Sequence, residues 1–112
     1  MKWREITTLE EWHEVFTESK KRDQVIIKHS TTCSVSANAL KEFDQYLDDA
    51  PNTNIDYILV KVIESREVSN KIAEDLELKH ESPQIIYLKE GARYWNASHW
   101  AISKEHMKAV LD

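Results

Sequence analysis

The chain has 112 residues, 41% of them hydrophobic and 31% charged, a balance that suits one soluble domain (1–112) with a single core. The net charge is −5 and the basic residues are interspersed with acidic ones, which excludes the basic stripe of a nucleic-acid-binding protein. No apolar run approaches the roughly 18–20 residues of a membrane span, and the start, Met1 to Glu5, lacks the apolar stretch of a secretion signal.

In chain order, residues 2–6 alternate weakly and predict a short edge strand. Thr8-Leu9-Glu10-Glu11 is a capping box, in which the Thr8 hydroxyl accepts from the Glu11 amide while the Glu11 carboxylate reaches back. Leu9, Trp12, Val15 and Phe16 then recur at helical spacing, so a helix is expected over about 9–20. Val25 to His29 is an apolar, β-branched run and reads as the first well-marked strand. Past Cys33, Val35, Ala39, Leu40, Phe43 and Leu47 share one helical face. Residues 48–54 are turn formers that end that helix. Residues 56–63 are nearly continuous in apolar side chains, as in a strand covered on both faces. Ser65 is placed to cap a third helix that turns Val68, Ile72, Ala73 and Leu76 inward. Gln84 to Lys89, the pair Glu90-Gly91 and Ala92 to Asn96 read as a β-hairpin, with the only glycine of the chain in its turn. A final helix is expected from Ser103.

The stretch from Val25 to Leu40 carries the chemistry. It reads as strand, tight loop, thiol, helix, which sets Cys33 at or near a helix N-terminus. Unpaired backbone N–H groups and the positive end of the helix dipole favour an anion there. The thiolate is such an anion, so the Cys33 pKa is expected below the usual value of about 8.5, and the thiolate is the reactive form. The competing reading is a small buried hydrophobe, a common fate of free cysteine. Flanking Thr32, Ser34 and Ser36 argue for a polar setting. As the chain holds one cysteine, an internal disulfide is excluded, and a cytoplasmic protein is expected.

Two strands joined by a helical crossover, followed by a hairpin, predict an α/β fold. The expected architecture is a mixed four- to five-stranded sheet with helices on both faces. This order resembles the thioredoxin-like fold. Cys33-Ser34-Val35-Ser36 stands where that superfamily carries C-x-x-C, with Ser36 replacing the second cysteine. Ser82-Pro83 stands where it carries a cis-proline, whose loop lies against the thiol and offers backbone groups to substrate. Lys28-His29-Ser30-Thr31-Thr32-Cys33, Ser36-Ala37-Asn38-Ala39-Leu40, His80-Glu81-Ser82-Pro83-Gln84 and Trp95-Asn96-Ala97-Ser98-His99-Trp100 together resemble the monothiol bacilliredoxin family. The family often has proline after its cysteine; this chain has Ser34, which leaves the turn less rigid and adds an N–H.

The resemblance implies a thiol–disulfide oxidoreductase that removes bacillithiol, a cysteinyl-glucosaminyl-malate thiol, from S-bacillithiolated proteins. Cys33 would be the nucleophile, with Thr32, Ser34, Val35, Ser36, Ser82 and Pro83 shaping the substrate site. Bacillithiol would be the co-substrate, with no metal or organic cofactor, and the protein a monomer. Ser36 either donates to the thiolate or merely helps start the helix. Thr31 and Thr32 either shape the substrate groove or satisfy local backbone groups. Lys28 is a candidate for the malate carboxylates by proximity in sequence alone. His80 either assists proton transfer near the thiol or is an exposed loop residue, the reading favoured; His29 is expected to be structural; His99 and Trp100 either touch the ligand or cover the core edge, with the core favoured. Two other functions stand beside this one. One is a non-catalytic thioredoxin-like scaffold. The other is a monothiol glutaredoxin-like iron–sulfur carrier, which expects a glycine where Ser34 stands.

Overall fold

Strand β2 (Asp23–His29) is the centre of the structure, and its sequence explains why. From Gln24 to His29 every residue is buried, which is what a strand covered on both faces requires. The computed structural model describes residues 3–49 and 51–112. Lys2, expected in the first strand, and Ala50, expected in the turn after the second helix, lie outside the described residues.

Around β2 lie β1 (Arg4–Glu5), α1 (Leu9–Glu18), α2 (Ser34–Asp48), β3 (Ile55–Lys61), α3 (Arg66–Leu76), β4 (Gln84–Lys89), β5 (Ala92–Ser98), a one-turn 3-10 helix (His99–Ala101) and α4 (Lys104–Leu111). The sheet order is β1-β3-β2-β4-β5. β1, β3 and β2 run parallel, β4 is antiparallel to β2, and β5 is antiparallel to β4. The mixed α/β sheet expected from the sequence is therefore present, with five strands among the described residues.

The period of two along β2 divides the core. Val25 and Ile27 face α2 and α4, in a cluster with Phe43, Tyr46, Tyr57, Leu59, Ile85, Met107 and Leu111. Ile26 faces α1 and α3, in a cluster with Trp12, Val15, Ile58, Val60, Ile72 and Ile86. Each such side chain contributes roughly 1.5–3 kcal/mol by leaving water, so neither layer is dispensable.

Local signals explain most boundaries. The Thr8 capping box forms as expected, with the Glu11 N–H donating to the Thr8 hydroxyl at 3.1 Å. Ser65 takes the N-cap position of α3 but its hydroxyl makes no capping bond, so that cap is positional only. The hairpin turns through Glu90 (φ 54°) and Gly91 (φ 77°), the two left-handed residues that a tight turn needs to match strand twist. Gly91 also donates its N–H to the Ser19 carbonyl, and a Cβ there would meet the Lys20 side chain at 2.9 Å. β3 ends at Lys61, earlier than expected, and Ile63 is exposed in the connection to α3.

Candidate functional site

Four chain segments converge at one end of the sheet. Lys28 pairs with Gln84 across β2 and β4, and Gln84 pairs with Ser98 across β4 and β5. The loop Ser30–Cys33, the residue Pro83 and the turn beginning at His99 therefore leave the sheet side by side. β3 joins them, because the Val62 N–H donates to the His29 carbonyl at 2.9 Å. The Ser82–Pro83 bond is cis, and the Pro83 carbonyl accepts from the His99 N–H at 3.0 Å.

Cys33 is the N-cap residue of α2, with extended backbone (φ −112°, ψ 127°) and a carbonyl that accepts from the Ala37 N–H at 3.0 Å. The residue is half-buried and its thiol is free. An N-cap side chain lies over the amides of the second and third helical residues, here Val35 and Ser36. The thiol closes no capping hydrogen bond, yet those amides act on its ionisation. The Ser36 N–H and then the Val35 N–H hold the Cys33 pKa below the ordinary thiol value; desolvation opposes them, and the Ser36 hydroxyl adds the smallest effect, in the lowering direction. The physical reason is simple: these donors gain far more from an anionic sulfur than from a neutral one.

Ser36 serves two sides at once. It is fully buried, and its hydroxyl oxygen accepts from the Ser30 N–H at 3.3 Å. That bond spans the whole loop from strand to helix, while the hydroxyl hydrogen is left for the sulfur. Thr32 is exposed and its hydroxyl pairs with that of Ser30 at 3.2 Å, whereas Thr31 donates to Glu64 at 3.3 Å and so ties the loop to the β3–α3 connection. Ser34 is exposed at the first helical position and Val35 is half-buried beside it, outside the core clusters.

The histidines and the lysine differ from expectation in instructive ways. Lys28 is fully buried, and its ammonium donates to the Ser69 carbonyl at 2.9 Å and to His80 Nδ1 at 3.2 Å. It is not free to meet a carboxylate of a ligand, so its candidacy for the malate end is withdrawn. Burial lowers its pKa to about 8. His80 is on the surface as expected, but its Nδ1 is engaged by Lys28 and by the Ser69 hydroxyl at 3.3 Å. His29 is buried on the opposite face of β2 and is held neutral chiefly by desolvation, which lowers its pKa. His99 and Trp100 are not core residues. His99 sits at φ 55°, its ring pairs with Glu81 at 3.3 Å, and Trp100 is 69% exposed. The chain turns out at His99, and Ile102 fills the core instead.

A family model for monothiol bacilliredoxin BrxC matches residues 4–107. The chain belongs to the monothiol bacilliredoxin family. The bacilliredoxin fold seen here is also that of solved structures. An oxidoreductase candidate with a thioredoxin fold superposes with a TM-score of 0.81 at 28% identity, over 94% of this chain and 89% of that one. Thioredoxin from Malassezia sympodialis superposes with a TM-score of 0.76 at 16% identity, over 97% of this chain and 87% of its own. Thioredoxin from Fasciola hepatica gives 0.75 at 15% identity, covering 96% and 95% respectively. At such identities the last two establish the thioredoxin fold alone. Family and fold together make this bacilliredoxin a thiol oxidoreductase.

Sequence reasoning did not single out Gln84, which is buried and donates through Nε2 to the Lys79 carbonyl at 3.1 Å. The signal was available: a polar residue opening an apolar, doubly covered strand must find a partner.

Proposed function

We propose that this protein removes bacillithiol from protein mixed disulfides through Cys33. The reading rests on one observation above the others: the lone thiol, on a half-buried residue, sits at the N-terminus of α2 with amides that stabilise its anion. An ordinary thiol is only a few per cent ionised at pH 7, so a depressed pKa raises the reactive fraction directly.

The reaction follows from thiol–disulfide exchange. The Cys33 thiolate attacks the bacillithiol sulfur of the mixed disulfide. A new Cys33–bacillithiol disulfide forms, the old disulfide breaks, and the target protein leaves as a thiolate that takes a proton from water. A second bacillithiol thiolate then attacks the bacillithiol sulfur held on Cys33, releasing the oxidised bacillithiol dimer and restoring the Cys33 thiolate. An external thiol is needed because the chain offers no second cysteine. Thr32, Ser34 and Val35 would border the incoming disulfide on one side, and Ser82 and Pro83 on the other.

A model protein carrying bacillithiol on its one cysteine, followed by intact mass in the presence of free bacillithiol, tests this. The wild type should release bacillithiol at least tenfold faster than free bacillithiol alone, and Cys33→Ser should fall to that background. Release by Cys33→Ser at the wild-type rate would refute the proposal. No release above background by either protein would favour the scaffold reading.

A further inference from the structure

The last rung before Pro83 sets two buried polar side chains opposite one another inside the sheet. Lys28 and Gln84 are direct cross-strand partners, so both side chains lie on the face of α1 and α3. Toward the middle of the sheet that face turns apolar, with Val60 beside Lys28 on β3 and Ile26 opposite Ile86 as the next pair inward. Both polar residues are essentially inaccessible to water. Both reach the same short segment: the Lys28 ammonium holds His80, and the Gln84 amide holds the carbonyl of Lys79. The Ser69 hydroxyl adds a third tie on His80. His80 Nδ1 accepts from an ammonium, so the ring proton resides on Nε2 and the imidazole is neutral; burial and the Lys28 charge both lower its pKa.

Burying an ammonium in an apolar layer is costly, and an apolar pair of similar volume would serve the core as well or better. Stability therefore does not explain this rung. Its ties fall on the two residues that precede Glu81, Ser82 and cis-Pro83, the segment that the functional reading sets against the substrate disulfide. We propose that Lys28 and Gln84 are positioning residues that hold the 79–82 segment ready for the mixed disulfide. They act through that segment and touch no reacting atom. The inference rests on the functional reading above, and it names which residues prepare that site for its protein substrate.

The test uses Lys28→Met, which keeps length and strands no buried group, since the Ser69 carbonyl keeps its place in the helical ladder. His80→Phe removes the acceptor from the surface side, and His80→Asn restores an acceptor near the Nδ1 position. Five quantities are read on each protein: the urea midpoint, the rate of Cys33 alkylation by iodoacetamide, KM and kcat for a bacillithiol-loaded protein, and hydrogen exchange of the 79–82 amides. Lys28→Met and His80→Phe should raise KM about tenfold, the scale of one lost hydrogen bond's worth of preorganisation. Alkylation and kcat should stay within twofold and exchange at 79–82 should quicken, while the urea midpoint should hold or rise in Lys28→Met and fall in His80→Phe, which leaves the buried ammonium one acceptor short. His80→Asn should recover most of the KM change. An unchanged KM, or exchange at 79–82 that matches the wild type, would overturn the proposal. So would a KM change accompanied by an equal loss of alkylation rate. A wild type inert toward the loaded protein would refute the functional reading alone, because the exchange measurement needs no substrate and still decides whether the rung holds the segment.

Discussion

Ser36 has one hydroxyl hydrogen and two lone pairs, and the site uses both kinds. A lone pair takes the Ser30 N–H at 3.3 Å, and the hydrogen supports the Cys33 thiolate. Replacing Ser36 with alanine removes both contacts. The Ser30 N–H, on a residue that is itself buried, loses its acceptor, which costs about 1–3 kcal/mol in a urea titration. The sulfur loses one of its anion-stabilising donors, although the stronger Ser36 and Val35 amides remain. The folded pKa of Cys33 is depressed, so the wild-type alkylation rate reaches its plateau at lower pH than an ordinary thiol does. In Ser36→Ala the midpoint of that profile should move to higher pH. The rate should fall several-fold at pH 7 and be equal or slightly greater on the plateau, where a more basic thiolate is the better nucleophile. A midpoint that stays in place would show that the hydroxyl contributes nothing to the anion.

Among the elements, α3 matters because it ends just before the segment that leads to Pro83. Its C-cap, Glu77, lies in the left-handed region at φ 50°, with its N–H and that of Leu78 donating back to the Glu74 and Ala73 carbonyls. A residue with a Cβ loses roughly 1 kcal/mol in that conformation, and a glycine avoids the loss while giving back part of it as unfolded-state freedom. Glu77→Gly should therefore stabilise the protein by about 0.5 kcal/mol, seen as a higher urea midpoint at unchanged slope, and should leave Cys33 alkylation unaltered. A lower midpoint would mean that the Glu77 side chain holds the turn in some other way. Element order was legible in the sequence because hydrophobic period is a one-dimensional signal: two along β2, nearer four along α2. Partners across the sheet are not one-dimensional. Lys28 looked available to a ligand because nothing in its own strand reveals that Gln84 lies opposite or that Ser69 and His80 lie above. His99 and Trp100 looked like core edge because a pattern cannot show that the backbone turns outward at His99.

On the scale of the whole molecule, two apolar layers grip one sheet, and the polar work is gathered where the strands end. β2 delivers the thiol loop, β4 begins at cis-Pro83, β3 hands Glu64 to Thr31, and β5 gives way to His99 beside Pro83. No helix among the described residues is long and apolar enough to cross a membrane. The division of labour explains why the site itself was readable in part. A lone cysteine between a β-branched run and a helical period already implied an N-terminal thiol, and four separated motifs implied the family. The rung beneath the site was invisible until the strands were paired. In the proposed exchange, Cys33 takes the bacillithiol onto its own sulfur. Mass spectrometry of the protein recovered after a single turnover, without free bacillithiol to clear it, reads this directly. We predict one bacillithiol joined by a disulfide to Cys33 for each target thiol set free. Target thiols released while Cys33 stays unmodified would rule that transfer out.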